Sequence, residues 1–133
     1  MDFSSLLAAS PAIKIHVATV VPAAFIGPAQ FLLPKGTALH RAAGYLFMGL
    51  MLVTSVAAFF IPSFMGPRFS YIHLFIIVTV VGIVRAWFAI NRGDVRGHAI
   101  ALASVYLGAI GIAGYFAFMP GRIMHELFFG PGA

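Results

Sequence analysis

The chain alternates long apolar stretches with short polar ones. The apolar stretches run at about residues 11–33, 38–61, 68–90 and 95–119, and each carries almost no charge. A helix needs about 20 apolar residues to cross the hydrocarbon core of a bilayer. All of these stretches are long enough. A barrel strand needs roughly 10 residues that alternate polar with apolar, and no such alternation occurs here. The pattern predicts an all-α integral membrane protein, a four-transmembrane-helix bundle forming a single domain. The connections are short, so consecutive spans are expected to be antiparallel neighbours, up-down-up-down.

The polar stretches carry the signals that start and stop helices. Ser10-Pro11 reads as an N-cap followed by proline at the first helical position. Pro34-Lys35-Gly36-Thr37 is a turn ending in a second N-cap, Thr37. Pro62 to Pro67 forms the next turn. Asn91-Arg92-Gly93-Asp94 forms the last, with Asp94 as cap, and Pro120-Gly121 stops the fourth span. The first ten residues read as a weakly apolar lead at the interface. Residues 121–133 form a short tail, amphipathic around His125 and Glu126 and suited to the membrane surface. Pro22 and Pro28 interrupt the first span. Each removes a backbone N–H and frees a carbonyl one turn earlier. In lipid such a carbonyl needs a new donor, so this span is expected to bend and to pack against a neighbour.

Composition agrees. Of 133 residues, 62% are hydrophobic and 8% are charged, against about 45–50% and 25% in soluble domains. With no cysteine, disulfides, iron–sulfur clusters, thiolate metal sites and thioester or thioether lipid anchors are excluded. The start of the chain has Asp2 and no basic stretch, so it is expected to stay as a span rather than be cleaved. The net charge of +5 sits mostly at span ends, which suits topology and anionic lipid rather than nucleic acid. Call the N-terminal side A. Lys35, Arg41, Arg92 and Arg96 gather on side B, with Arg85 reaching towards it. Lys14, Arg68 and Arg122 lie on side A. The bias predicts an inner-membrane protein with side B in the cytoplasm and both termini outside.

Histidines complicate this simple picture. Each span carries one near its start: His16, His40, His73 and His98. An ionisable residue within a span suggests function. Because the spans alternate in direction, His16 and His73 fall near side A, and His40 and His98 near side B. Each pair belongs to diagonal helices of an up-down bundle. Two imidazoles facing each other across a core are what the iron of a b-type haem requires. Small residues such as Ala43, Gly44, Gly82, Gly108, Gly111 and Gly114 would leave room for the ring. Arg41 and Arg96 would pair with propionates on side B, and Lys14 and Arg68 on side A. The expected cofactor is two haems b, His16 and His73 holding one and His40 and His98 the other. Simpler readings stand beside it. Span-end histidines also reach interfacial water, and one such residue per span sorts into pairs by topology alone. A quinone, or a side-A copper or zinc site built from His16, His73, His125 and Glu126, is a further alternative. Hydrolytic chemistry has no support: there is no G-x-S-x-G, no P-loop and no intramembrane carboxylate pair.

Leu39-His40-Arg41-Ala42-Ala43-Gly44-Tyr45, Tyr71-Ile72-His73, Arg96-Gly97-His98 and Pro120-Gly121-Arg122 resemble a bacterial family of predicted small multi-pass membrane proteins, domain of unknown function 2306. The resemblance covers most of the chain from Ile15 onwards and implies topology rather than chemistry. The arrangement of histidines separately resembles that of four-helix di-haem cytochromes b. The expectation is therefore an electron carrier between a quinone pool or other donor and a partner across the bilayer. Its competitor is a non-catalytic accessory subunit that packs by its glycine faces within a larger membrane complex.

Overall fold

The computed structural model describes residues 3–61 and 71–130. Its helices are α1 (Ser4–Leu7), α2 (Pro11–Leu32), α3 (Ala38–Phe59), α4 (Tyr71–Asn91), α5 (Val95–Ala117) and α6 (Ile123–Phe129). The spans α2 to α5 are long and apolar enough to cross a membrane. Their ends fall within a residue or two of the expected ones, except at the start of α4. The expected start at Arg68, and the turn from Pro62 to Pro67, lie outside the described residues.

The caps explain those ends. Ser10 accepts from the Ile13 amide at 3.5 Å, Thr37 from His40 at 3.2 Å and Asp94 from Gly97 at 2.8 Å. Each bond satisfies one of the donors left free in a first helical turn. The two side-B turns reverse direction through Gly36 at φ 79° and Gly93 at φ 78°, a left-handed conformation that glycine adopts without steric cost. At the end of α2 the Lys35 ammonium donates to the carbonyls of Gln30, Phe31 and Leu33 at 2.6–3.0 Å. A cation there meets orphan carbonyls and the negative end of the helix dipole.

The helices pack as two antiparallel hairpins, α2 with α3 and α4 with α5. They join mainly through α3 against α4, and more sparsely through α2 against the middle of α5. Thus α2 lies diagonal to α4, and α3 to α5. Ala23, Phe47, Met48, Met51, Ile83 and Val105 form the central buried cluster, with Tyr106 packed on it. Much of the remaining apolar surface faces outwards, Phe25 at 76% and Leu32 at 87% exposed, as lipid-facing positions must.

The first span obtains the donor it lacks from α5. Pro28 has no N–H to give the Ala24 carbonyl, and the Tyr106 hydroxyl donates to that carbonyl at 2.8 Å. Gly27 makes the approach possible: a Cβ there would lie 2.5 Å from the Tyr106 ring. Tyr106 also opens a π-helical segment, Tyr106–Ile112. Gly108 and Gly111 lie within it, and their low helix propensity makes a widened turn cheap.

On side A the lead and the tail meet. The Ser5 hydroxyl donates to Glu126 Oε2 at 2.8 Å, and Leu127 of α6 is buried. The tail therefore folds back onto the lead.

Candidate functional site

The histidines form two layers, as their positions along the spans require. On side A, His16 lies about five residues into α2, level with Thr54, which lies the same distance from the end of α3. His16 Nδ1 is 3.1 Å from the Thr54 carbonyl oxygen. A carbonyl only accepts, so Nδ1 carries the proton and Nε2 keeps its lone pair. Beside it, the Thr19 and Thr54 hydroxyls are 2.7 Å apart, and Thr19 returns its proton to its own helix. Thr54 is buried, so a polar clasp joins α2 to α3 where lipid supplies no other partner. His73 stands edge-on to Phe59 with ring centroids 6.3 Å apart.

Side B repeats the device on the other hairpin. His98 Nδ1 is 3.0 Å from the Ala86 carbonyl oxygen of α4. The same tautomer follows, with the same free Nε2. His40 lies in the first turn of α3 on the same side, just after the turn that carries Lys35. Its own Nδ1 is buried with no hydrogen-bond partner among the described residues, and so is Gln30 Oε1. Gln30 lies against His40: its Nε2 donates to the His40 carbonyl at 3.0 Å. The absence of a side chain at Gly44 admits that amide, since a Cβ there would sit 3.0 Å from Gln30 Nε2. Buried polar atoms without partners are rare in native proteins, and each calls for an explanation such as a bound water, an ion or a catalytic role. Arg41 and Arg96 are exposed at the side-B ends of α3 and α5.

Between the layers the axis is filled. Phe47, Met48 and Met51 of α3 occupy it with Ile83 of α4 and Val105 of α5. The spacing from His40 to the level of His16, taken along α3, is about 21 Å at 1.5 Å per residue. The glycines expected to leave slots are partly taken. Val105 fills the space at Gly82 and the Gln30 amide that at Gly44, whereas Gly114 faces open space. Any flat group would therefore occupy the ends of the bundle and not its middle.

Some of the expected residues fall outside these layers. Arg68 is not among the described residues. His125 donates from Nδ1 to the Phe118 carbonyl at 2.9 Å, and Glu126 takes the Ser5 hydroxyl. Among the described residues, no three histidines and carboxylates gather closely enough to hold a metal ion. Sequence reasoning passed over Thr19 and Thr54, which hold the His16 layer. It gave Gln30 no part in either layer, whereas the structure sets Gln30 against His40. The signal available for Gln30 was its position, two residues before the end of α2 and hence level with the start of α3.

No curated protein and no solved structure matches the chain. A family model does match, over residues 13–128, which takes in all four spans and every histidine discussed. This protein belongs to that family, predicted membrane proteins sharing domain of unknown function 2306.

Proposed function

We propose that this protein is a small membrane cytochrome of the b type, with a histidine pair at each end of its bundle able to hold one haem. One observation carries the reading: His16 and His98 each donate Nδ1–H to a backbone carbonyl of the neighbouring helix, at 3.1 and 3.0 Å. An axial imidazole must present an unprotonated Nε2, and a hydrogen bond from its other nitrogen to a carbonyl fixes that tautomer and raises the basicity of the ligand. The chain has this feature once in each layer, on opposite hairpins.

The donor set fits the group. His16 and His73 would serve side A, and His40 and His98 side B. Gln30 Oε1 is an unused acceptor beside His40, suited to the part that backbone carbonyls play for His16 and His98. Arg41 and Arg96 would hold propionates at the side-B surface through paired, charge-assisted hydrogen bonds. Bound haem would supply reversible one-electron chemistry. The chain's own contribution is to fix two imidazole tautomers, to exclude water with the Phe47–Met51 plug, and to hold two layers about 21 Å apart along the helix. Quinone as donor or acceptor is part of the same proposal.

A reduced-minus-oxidised absorption spectrum of the purified protein is the direct test. Two b-type haems give sharp visible bands on reduction. His40→Ala and His98→Ala should each remove the same half of the signal, and His16→Ala and His73→Ala the other half. A spectrum with no sharp band, from protein expressed with ample haem, would sink the proposal. It would leave the accessory-subunit reading, favoured by Gly49 and Gly114, whose α-carbons face open space as helix-landing positions do.

A further inference from the structure

The outer face of the α4–α5 hairpin carries a groove of about 720 Å³ that neither histidine layer uses. Its polarity is graded along the membrane normal. At the side-B end it is lined by Arg92 and Asp94, and about 10 Å deeper along α4 by Arg85. Below Arg85 the wall on α4 is Gly82, Val81, Val78 and Ile77; on α5 it is Ile100, Ala101 and Ser104. So cations stand at the end nearest water, and a trough of apolar and small residues continues into the span.

Arg85 gives the groove its meaning. It lies within a span and is exposed on the lipid-facing surface. A guanidinium there is costly unless it reaches the interface or meets an anion. The nearby carboxylate does not answer it: Asp94 accepts the Gly97 amide at 2.8 Å as the α5 cap. Arg92 directly follows the last residue of α4, seven positions after Arg85, and both line the groove. Together they form a forked, doubly cationic end to an apolar trough.

We propose that this groove is a binding site for one anionic phospholipid. The phosphodiester lies between the Arg85 and Arg92 guanidinia, which match phosphate oxygens bidentately. An acyl chain lies in the trough beneath, along Val81, Val78 and Ile77 opposite Ile100 and Ser104. Charge complementarity selects the occupant: a zwitterionic lipid brings its own ammonium to the same two cations, and a neutral quinone leaves both unanswered. The site is separate from the histidine layers and stands whether or not haem is bound.

Native mass spectrometry of the detergent-purified protein, titrated with phosphatidylglycerol or phosphatidylcholine of identical chains, tests it. Phosphatidylglycerol should bind about 25-fold more tightly, about fivefold for each arginine, from about 1 kcal/mol per basic residue at an anionic surface. Arg85→Gln should remove about fivefold of that, and Arg85→Gln with Arg92→Gln should abolish the preference. Lys14→Gln, on the opposite side, should leave it intact. Ser104→Phe, which blocks the trough, should weaken binding of both lipids, and inorganic phosphate at millimolar level should displace neither. Equal affinity for the two lipids would overturn the proposal, as would wild-type binding by the double variant. So would displacement by phosphate alone, or retention of a quinone in place of phospholipid.

Discussion

Pro28 and Tyr106 make a linked pair whose energetics can be measured. Pro28 deprives the Ala24 carbonyl of its helical donor, and the Tyr106 hydroxyl replaces that donor at 2.8 Å, an ordinary length for an O–H···O bond. Ala24 and Tyr106 are half-buried, and the contact lies in a span where water does not compete. Tyr106→Phe removes the donor and leaves the ring in place. The carbonyl then stands unpaired, at a cost of about 1–2 kcal/mol; a buried acceptor left unmade costs about 1–3, and interhelical bonds in membrane proteins reach about 1.7. Pro28→Ala restores a backbone N–H to the same carbonyl. In that background Tyr106→Phe should cost less than about 0.5 kcal/mol. The coupling in the double-mutant cycle should therefore be about 1 kcal/mol. Unfolding of the four proteins in mixed micelles, by denaturing-detergent titration with far-ultraviolet circular dichroism, gives the cycle. If Tyr106→Phe costs the same with and without Pro28, the hydroxyl is not replacing the missing amide and the reasoning fails.

Other outcomes follow from the same contacts. Gly27→Ala sets a methyl 2.5 Å from the Tyr106 ring and should destabilise by about 1–3 kcal/mol through overpacking; Tyr106→Ala in the same chain should relieve part of that, read in the same titration. Asp94→Ala removes the acceptor for the Gly97 amide and should cost about 1 kcal/mol, with faster amide exchange confined to the first turn of α5.

The legible part of this protein was whatever depends on neighbours in sequence. Ser10, Thr37 and Asp94 could be read as caps because a cap is a contact across three residues. The α2 and α3 ends followed from Pro34 and Gly36. The need for a foreign donor to α2 was equally visible in Pro22 and Pro28, since a proline removes its own N–H wherever it stands. The identity of the donor was not. Tyr106 is 82 residues from Ala24, and nothing local distinguishes it from an interfacial tyrosine. Gln30 is a second case. A side chain near a helix end reaches across the turn to the start of the next helix, and its contact with the His40 carbonyl depends on how α2 and α3 pack.

By itself the sequence determined that the chain lives in lipid, that it crosses in four helices, and that histidines fall into two layers. Hydrophobic length, turn chemistry and alternating direction leave no other arrangement. Only the tertiary structure decided which atoms meet. It turned the Nδ1 atoms of His16 and His98 onto carbonyls of adjacent helices, filled the space at Gly44 and Gly82 with Gln30 and Val105, and aligned Arg85 with Arg92 above an apolar trough. Those contacts depend on the rotation and offset of packed helices. Rotation and offset are set by the sum of many side-chain fits between distant segments, which no local pattern of residues encodes.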